Sequence, residues 1–235
     1  MSKNENRQPP AFIHSALRDH NSLALPSVIR RASGIIIMGR RMKSLIFTTD
    51  IAIIRNCNAD AVLAVYPFTP QQIIADAIVS TSSLPVFCGV GGGTTTGARV
   101  VMLAKDAEAF GAMAVVVNAP TTNDVIAQIA DIIDIPIVVT VLDENTDIDA
   151  RLEAGATIFN VSAAARTPEV VRILRERYPD LPIIATGGPS QESIRETVAA
   201  GANAISFTPP TAEELFHGLM TRYRNEHESK TKGEA

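Results

Sequence analysis

The sequence predicts an α/β chain folded as a single (β/α)8 (TIM) barrel. Three observations predict it. From residue 44 onward a strand-plus-helix unit recurs about every 22 to 25 residues. The unit occurs eight times, and its strand-like runs are continuously apolar rather than alternating. Continuous runs mark strands covered on both faces, the condition of parallel strands lying between a packed interior and an outer layer of helices.

The strand runs, in order, are SLIFTT (44–49), AVLAVYPF (61–68), PVFCGV (85–90), AVVVNAP (114–120), IPIVVTVL (135–142), ATIFNVS (156–162), LPIIATGG (181–188) and AISFTPP (204–210). Each ends in a loop of Gly, Pro, Thr, Asn or Asp and is followed by a helical pattern. Val170, Val171, Ile173 and Leu174, for example, repeat three and four apart, as a helix needs to bury one face. An open doubly wound sheet is the rival architecture, but it usually has fewer strands, and no G-x-G-x-x-G opens the first unit. The expected organisation is an N-terminal extension (1–43), the barrel (44–224) and a polar tail (225–235) expected to fray. Within the extension, Ala11 to Arg31 is expected to be helical, with Pro26 breaking the helix or starting a second one. GIIIMG (34–39) is expected to be an extra strand, and RRMK to turn into the first barrel strand. The extension either plugs the barrel bottom with a helix or contacts another subunit.

Composition bounds the function. The 235 residues are 46% hydrophobic and 20% charged, with a net charge of −4, so no general positive field draws nucleic acid or an anionic membrane. No apolar run reaches membrane-spanning length, and MSKNENRQPP has no apolar signal stretch. Two cysteines, Cys57 and Cys88, show no metal-ligand spacing. A cytoplasmic protein is the expectation, and self-association through the apolar GIIIMG segment makes a homo-oligomer the expected assembly.

In such barrels the reacting groups lie at the C-terminal ends of the strands. The polar residues there are mostly uncharged, with no lysine or histidine among them. Asn118 and Asn160 end the fourth and sixth runs, where an amide orients a hydroxylated substrate or satisfies loop backbone. Gly91-Gly92-Gly93-Thr94-Thr95-Thr96 permits close backbone approach and adds hydroxyls, which makes Gly92 and Thr94 candidate ligand contacts. The carboxylates available for proton transfer are Asp50, Asp143 and Glu144. Asp50 also fits the N-cap of the helix IAIIRNCN. The acidic loop LDENTDID is either solvated or suited by its oxygens to Mg2+; the motifs require no cofactor, and no His–carboxylate spacing supports zinc or iron. Arg166 pairs with a ligand anion or caps the Thr167–Pro168 helix start.

The stretch IIATGGPSQESIRETVAAGANAISFTPPT resembles the phosphate-binding half of ribulose-phosphate-binding-type barrels. That group includes sugar-phosphate epimerases, thiamine-phosphate synthase and the glycerol-responsive antiterminators. The resemblance implies phosphate contacts from Gly187 and Gly188, with Thr208 or Thr211 opposite. Glycines and a helix N-terminus supply the free N–H donors such a site needs. The chain departs from the pattern at Pro209-Pro210, which lack two of those donors; a capping box of Thr211 with Glu214 starts the last helix. A tight turn is the structural alternative for the two glycines.

A second stretch, residues 85–120 (PVFCGVGGGTTTGARVVMLAKDAEAFGAMAVVVNAP), is similar to the third and fourth units of the dihydrodipicolinate synthase and N-acetylneuraminate lyase family. Those enzymes use a Schiff-base lysine on strand six. Here that strand carries Asn160 and no lysine, so Schiff-base chemistry is not expected. Lys105 is expected at the surface, and Cys88 in the core.

Together these readings give an isomerase, epimerase or lyase acting on a small phosphorylated metabolite at the C-terminal face. The alternatives are a non-catalytic sensor of a phosphorylated ligand and, more weakly, a metal-assisted hydrolase.

Overall fold

The computed structural model describes residues 11–13, 22–188 and 190–233, with side chains described as far as Arg224 except at position 222. All eight runs are strands of one closed parallel barrel. In chain order the elements are a hairpin of β1 (Ile35–Ile37) and β2 (Arg40–Met42), then β3 (Ser44–Phe47), α1 (Ile51–Arg55), β4 (Ala61–Ala64) and α2 (Gln72–Thr81). There follow β5 (Val86–Gly91), α3 (Ala98–Ala109), β6 (Ala114–Val117), α4 (Asn123–Ala130), β7 (Ile137–Val141) and α5 (Ile148–Glu153). The chain ends with β8 (Ile158–Val161), α6 (Thr167–Arg177), β9 (Ile183–Thr186), α7 (Gln191–Ala199), β10 (Ala204–Phe207) and α8 (Ala212–Gly233). The strand order is β10-β3-β4-β5-β6-β7-β8-β9, with β10 closing on β3 through Ile205 opposite Ser44 and Phe207 opposite Ile46.

The alternation of a strand splits the core in two. Leu45, Leu63, Phe87, Val116, Val138, Ile158 and Ile184 fill the barrel interior. Ile46, Val62, Cys88, Val115, Val139, Phe159 and Ile183 face the helices, which answer with Val170, Val171, Leu174 and Ile126. Each fully buried side chain of this size contributes roughly 1.5–3 kcal/mol. On β8 the sequence Ile158-Phe159-Asn160-Val161 therefore runs in, out, in, out, and Asn160 points along the barrel interior near its C-terminal end.

The N-terminal extension differs from expectation. Residues 14–21, most of the expected helix, lie outside the described residues. Leu23 bridges to Cys57 in extended conformation, and Pro26 precedes only a short 3-10 turn, Ser27–Arg31. The β1–β2 hairpin packs against the barrel bottom: Met42 is buried in the interior cluster, with Ile35 and Ile37 packed against it. RRMK supplies the return strand of this antiparallel pair, with Ile35 opposite Met42. At the other end, α8 runs on through Gly233 and so crosses the expected boundary at 225. Among the described residues no helix is long and apolar enough to cross a membrane.

Candidate functional site

The loops after β4, β5 and β6 enclose a cavity of about 210 Å3 at the C-terminal mouth, lined among others by Tyr66, Gly92, Thr94, Val116 and Asn118. Three of the residues proposed from sequence thus meet in one wall. The β5 strand shifts register between Gly89 and Gly91, so the glycine run leaves the sheet and folds over β6. Gly92 has φ +102°, and a Cβ there would lie 2.6 Å from Asn118 Cβ and 2.8 Å from its backbone nitrogen. The residue must be glycine for the two loops to close. Asn118 fastens them: its N–H donates to Gly91 O at 2.9 Å and its Nδ2 to Gly92 O at 3.4 Å.

Asn160 lies on β8, opposite Thr140 of β7. It is 7% exposed, and its Oδ1 is buried with no hydrogen-bond donor among the described residues. An unsatisfied acceptor of this kind is costly and rare.

The resemblance to phosphate-binding barrels is met only in part. The Gly187 N–H donates to Ser206 O at 3.1 Å, so it is spent in the sheet. The missing side chain at 187 has a packing cause, since a Cβ would lie 2.7 Å from Ile205 Cγ2 and 2.9 Å from Ile194 Cγ1. Thr211 is also committed: its N–H and Oγ1 donate to Glu214 Oε2 at 2.8 and 3.0 Å, and Glu214 N–H donates back to Thr211 Oγ1, the capping box expected from the sequence. Gly188, with φ +76°, and the exposed Thr208 keep their donors free among the described residues. Ahead of α7, Ser190 and Ser193 cap one another.

The carboxylates proposed for proton transfer are engaged in local structure. Asp50 Oδ1 accepts from Ala52 N–H at 2.8 Å and Ile53 N–H at 3.2 Å, the N-cap of α1. Asp143 Oδ1 accepts from Asn145 N–H at 2.9 Å and closes a turn. Glu144 Oε1 pairs with Arg166 Nη2 at 2.7 Å, Arg166 Nε reaches Glu169 Oε2 at 3.0 Å, and Arg177 donates to Glu144 O at 3.3 Å. Its own N–H and the Arg166 guanidinium hold the Glu144 carboxyl below the usual carboxylate range. Glu144 is therefore a latch between the β7 loop and α6 that stays ionised, although its Oε2 is buried without a partner. Arg166 serves this latch and gives α6 no side-chain cap. Cys88 faces the outer core, where burial pushes its thiol up to about 12, and Lys105 is exposed.

The acidic loop offers few free carboxylate oxygens, although a Mg2+ ion needs only one or two carboxylates beside water and substrate. Among the described residues no three His, Cys, Asp or Glu side chains come together, and Asp143 and Glu144 already serve the turn and the latch. Sequence reasoning also missed Arg151. From α5 its guanidinium donates to Ala119 O at 3.0 Å, to Asn123 Oδ1 at 3.0 Å and to Thr121 O, so it pins the loop that follows Asn118. Burial lowers its pKa. Nothing in IDARLE distinguishes this arginine from a surface charge.

No family model matches the chain. Thiamine-phosphate synthase of Oceanobacillus iheyensis is 28% identical over 93 residues, a match spanning 40% of this chain and only 39% of that protein. Among solved structures, a putative phosphonomutase from Burkholderia cenocepacia superposes with a TM-score of 0.61 at 18% identity, over 77% of this chain and 93% of its own. 2,3-Dimethylmalate lyase, a PEP mutase/isocitrate lyase superfamily member, gives 0.60 at 14% identity over 86% and 85%. A putative dihydrodipicolinate synthetase from Pseudomonas aeruginosa gives 0.52 at 17% identity over 64% and 59%. At these identities the structural likeness establishes that the chain has the fold of a (β/α)8 barrel.

Proposed function

We propose that the barrel is a metabolic enzyme of lyase or isomerase type acting on a small phosphorylated metabolite laid across its C-terminal mouth. The observation that carries this reading is the buried, donorless Oδ1 of Asn160 at the inner end of β8. A ligand hydroxyl in the mouth, reached by a small rotation of the amide, supplies the missing donor. The hydroxylated part of the ligand fits the uncharged cavity beside Gly92, Thr94 and Asn118. Its anionic end takes the free N–H of Gly188 and the hydroxyl of Thr208, with the N-terminal dipole of α7 behind them. Two comparisons support the class: the local match to a thiamine-phosphate synthase and barrel neighbours named as a mutase and a lyase. Of the three carboxylates, Glu144 alone has a buried oxygen without a partner among the described residues; its lowered pKa keeps it ionised, so it is a weak base and not an acid.

One observation favours a second reading, a phosphorylated-ligand sensor. Asp50, Asp143 and Glu144 all serve local structure, and among the described residues no carboxylate, lysine or histidine lines the cavity. A thermal-shift screen against phosphorylated metabolites, followed by 31P and 1H NMR of each stabilising compound with the protein in D2O, separates the two. Stabilisation with turnover supports the enzyme. Stabilisation that Gly188→Asp removes, without turnover or solvent exchange, supports the sensor. No stabilisation by any phosphorylated compound overturns both.

A further inference from the structure

The last helix is the one barrel helix whose described side chains are never fully buried. The other seven each bury at least one residue, from Ile53 and Ile54 on α1 to Ile194 on α7, whereas on α8 only Leu215, Leu219 and Met220 are even half-buried. Yet α8 is 22 residues long, roughly 33 Å at 1.5 Å per residue. In proteins most of a helix's stability comes from packing an amphipathic face. This helix has such a face: Phe216, Leu219, Met220 and Tyr223 fall at i, i+3, i+4 and i+7, with Phe216 65% and Tyr223 53% exposed. Alongside runs an apolar groove of about 630 Å3 between α8, α1 and the segment 22–24, lined by Leu23, Ile53, Leu215, Phe216 and Leu219.

We propose that this face is the dimer interface of the protein, occupied by α8 of a second copy in antiparallel orientation. Charge selects both the occupant and its direction. The first turn of α8 carries Glu213 and Glu214, and Arg224 stands just past its middle. About a two-fold axis near Leu219 the acidic turn of one helix lies beside the basic turn of the other. A parallel pair would set like charges together, which is unfavourable. The stripe is also self-complementary, as an isologous contact requires, because the same residues serve both sides of the axis. The proposal does not depend on the function proposed for the mouth.

Sedimentation velocity of the full chain over a concentration series tests the proposal. The wild type is expected to dimerise. Phe216→Glu removes an aromatic anchor and is expected to weaken association about thirty-fold or more. Its circular dichroism should stay unchanged, since the residue is largely exposed. Glu213→Arg and Arg224→Glu are each expected to weaken the dimer by a few-fold, and the two together to restore it. A wild type that stays monomeric at about 100 µM, far above the dissociation constants of ordinary specific interfaces, overturns the proposal. So does a dimer indifferent to Phe216→Glu, or a charge swap that fails to recover association.

Discussion

Replacing Asn160 by leucine separates a ligand contact from a structural residue. Leucine has the same branching and heavy-atom count, so it fills the same space without the polar atoms. In the ligand-free protein, removing a buried acceptor that has no donor relieves about 1–3 kcal/mol. The slightly larger methyl groups take back about 1 kcal/mol through tighter packing against the interior. The net expectation is a gain of about 0–2 kcal/mol. For a chain of this length that leaves Tm unchanged or raises it by up to roughly 8 °C. The same variant is expected to lose any thermal shift given by a phosphorylated metabolite, because the group that receives the ligand hydroxyl is gone. Calorimetry with and without ligand, together with urea unfolding at constant m, reads both effects. The reasoning is refuted if Asn160→Leu lowers Tm by several degrees in the ligand-free protein. That result would mean that the amide oxygen is satisfied inside the fold and that its burial says nothing of a ligand.

Gly187→Ala is expected to cost about 1–3 kcal/mol by overpacking, because the new Cβ meets Ile205 and Ile194 at 2.7 and 2.9 Å; urea unfolding measures it, and a neutral result would show that the β9–α7 contact is slack. Asp50→Ala is expected to cost about 1 kcal/mol through loss of the α1 cap, with any turnover unchanged; a turnover loss larger than the stability loss would return Asp50 to the catalytic set. Burial pushes the Cys88 thiol up to about 12 from 9.0, which favours the neutral form in the folded state. Its stabilising effect is complete below about pH 9 and is lost as pH rises toward 12. In the native protein at pH 8, Cys88 should resist a thiol reagent that labels it readily after unfolding, and fast native labelling would show that the outer core opens.

The barrel was legible because its strands obey one rule throughout. Runs such as AVLA, AVVV and IVVTV are apolar on both faces, as in any parallel sheet covered by helices, and their number, eight, is that of a closed barrel. The caps at Asp50 and at Thr211–Glu214 were equally local and could be read from spacing. The hairpin at the barrel bottom was only half legible. Its strand GIIIMG stands out, but its turn is formed by Met38 at φ +48° and Gly39 at φ +76°. A two-residue turn with both φ angles positive usually announces itself with Asn-Gly or Asp-Gly. Methionine in that position hides it, and the following RRM looks too basic for a strand whose last residue plugs the interior.

The site was less legible, because its meaning depends on which hydrogen bonds are already made. Gly187-Gly188 looks like a pair of open donors in the sequence; in the fold one N–H belongs to Ser206 and only the other is free. Asp50, Asp143 and Glu144 look alike as strand-end carboxylates, and long-range partners such as Arg166 decide what each does. Asn118 and Asn160 differ in the same way. The first spends its amide holding the Gly92 loop, while the second, on β8 with β7 between them, has its oxygen without a donor among the described residues. On the function proposed above, such a mouth would recognise its ligand through neutral dipoles, with the anion met by backbone N–H groups instead of a lysine or arginine. Such donors are strong only where water is excluded. Affinity at this site should therefore depend on how tightly the Gly91–Gly93 loop closes over the ligand. Arg151, which pins the adjoining β6 loop through Ala119, Thr121 and Asn123, then becomes as consequential for binding as any residue that touches the ligand itself.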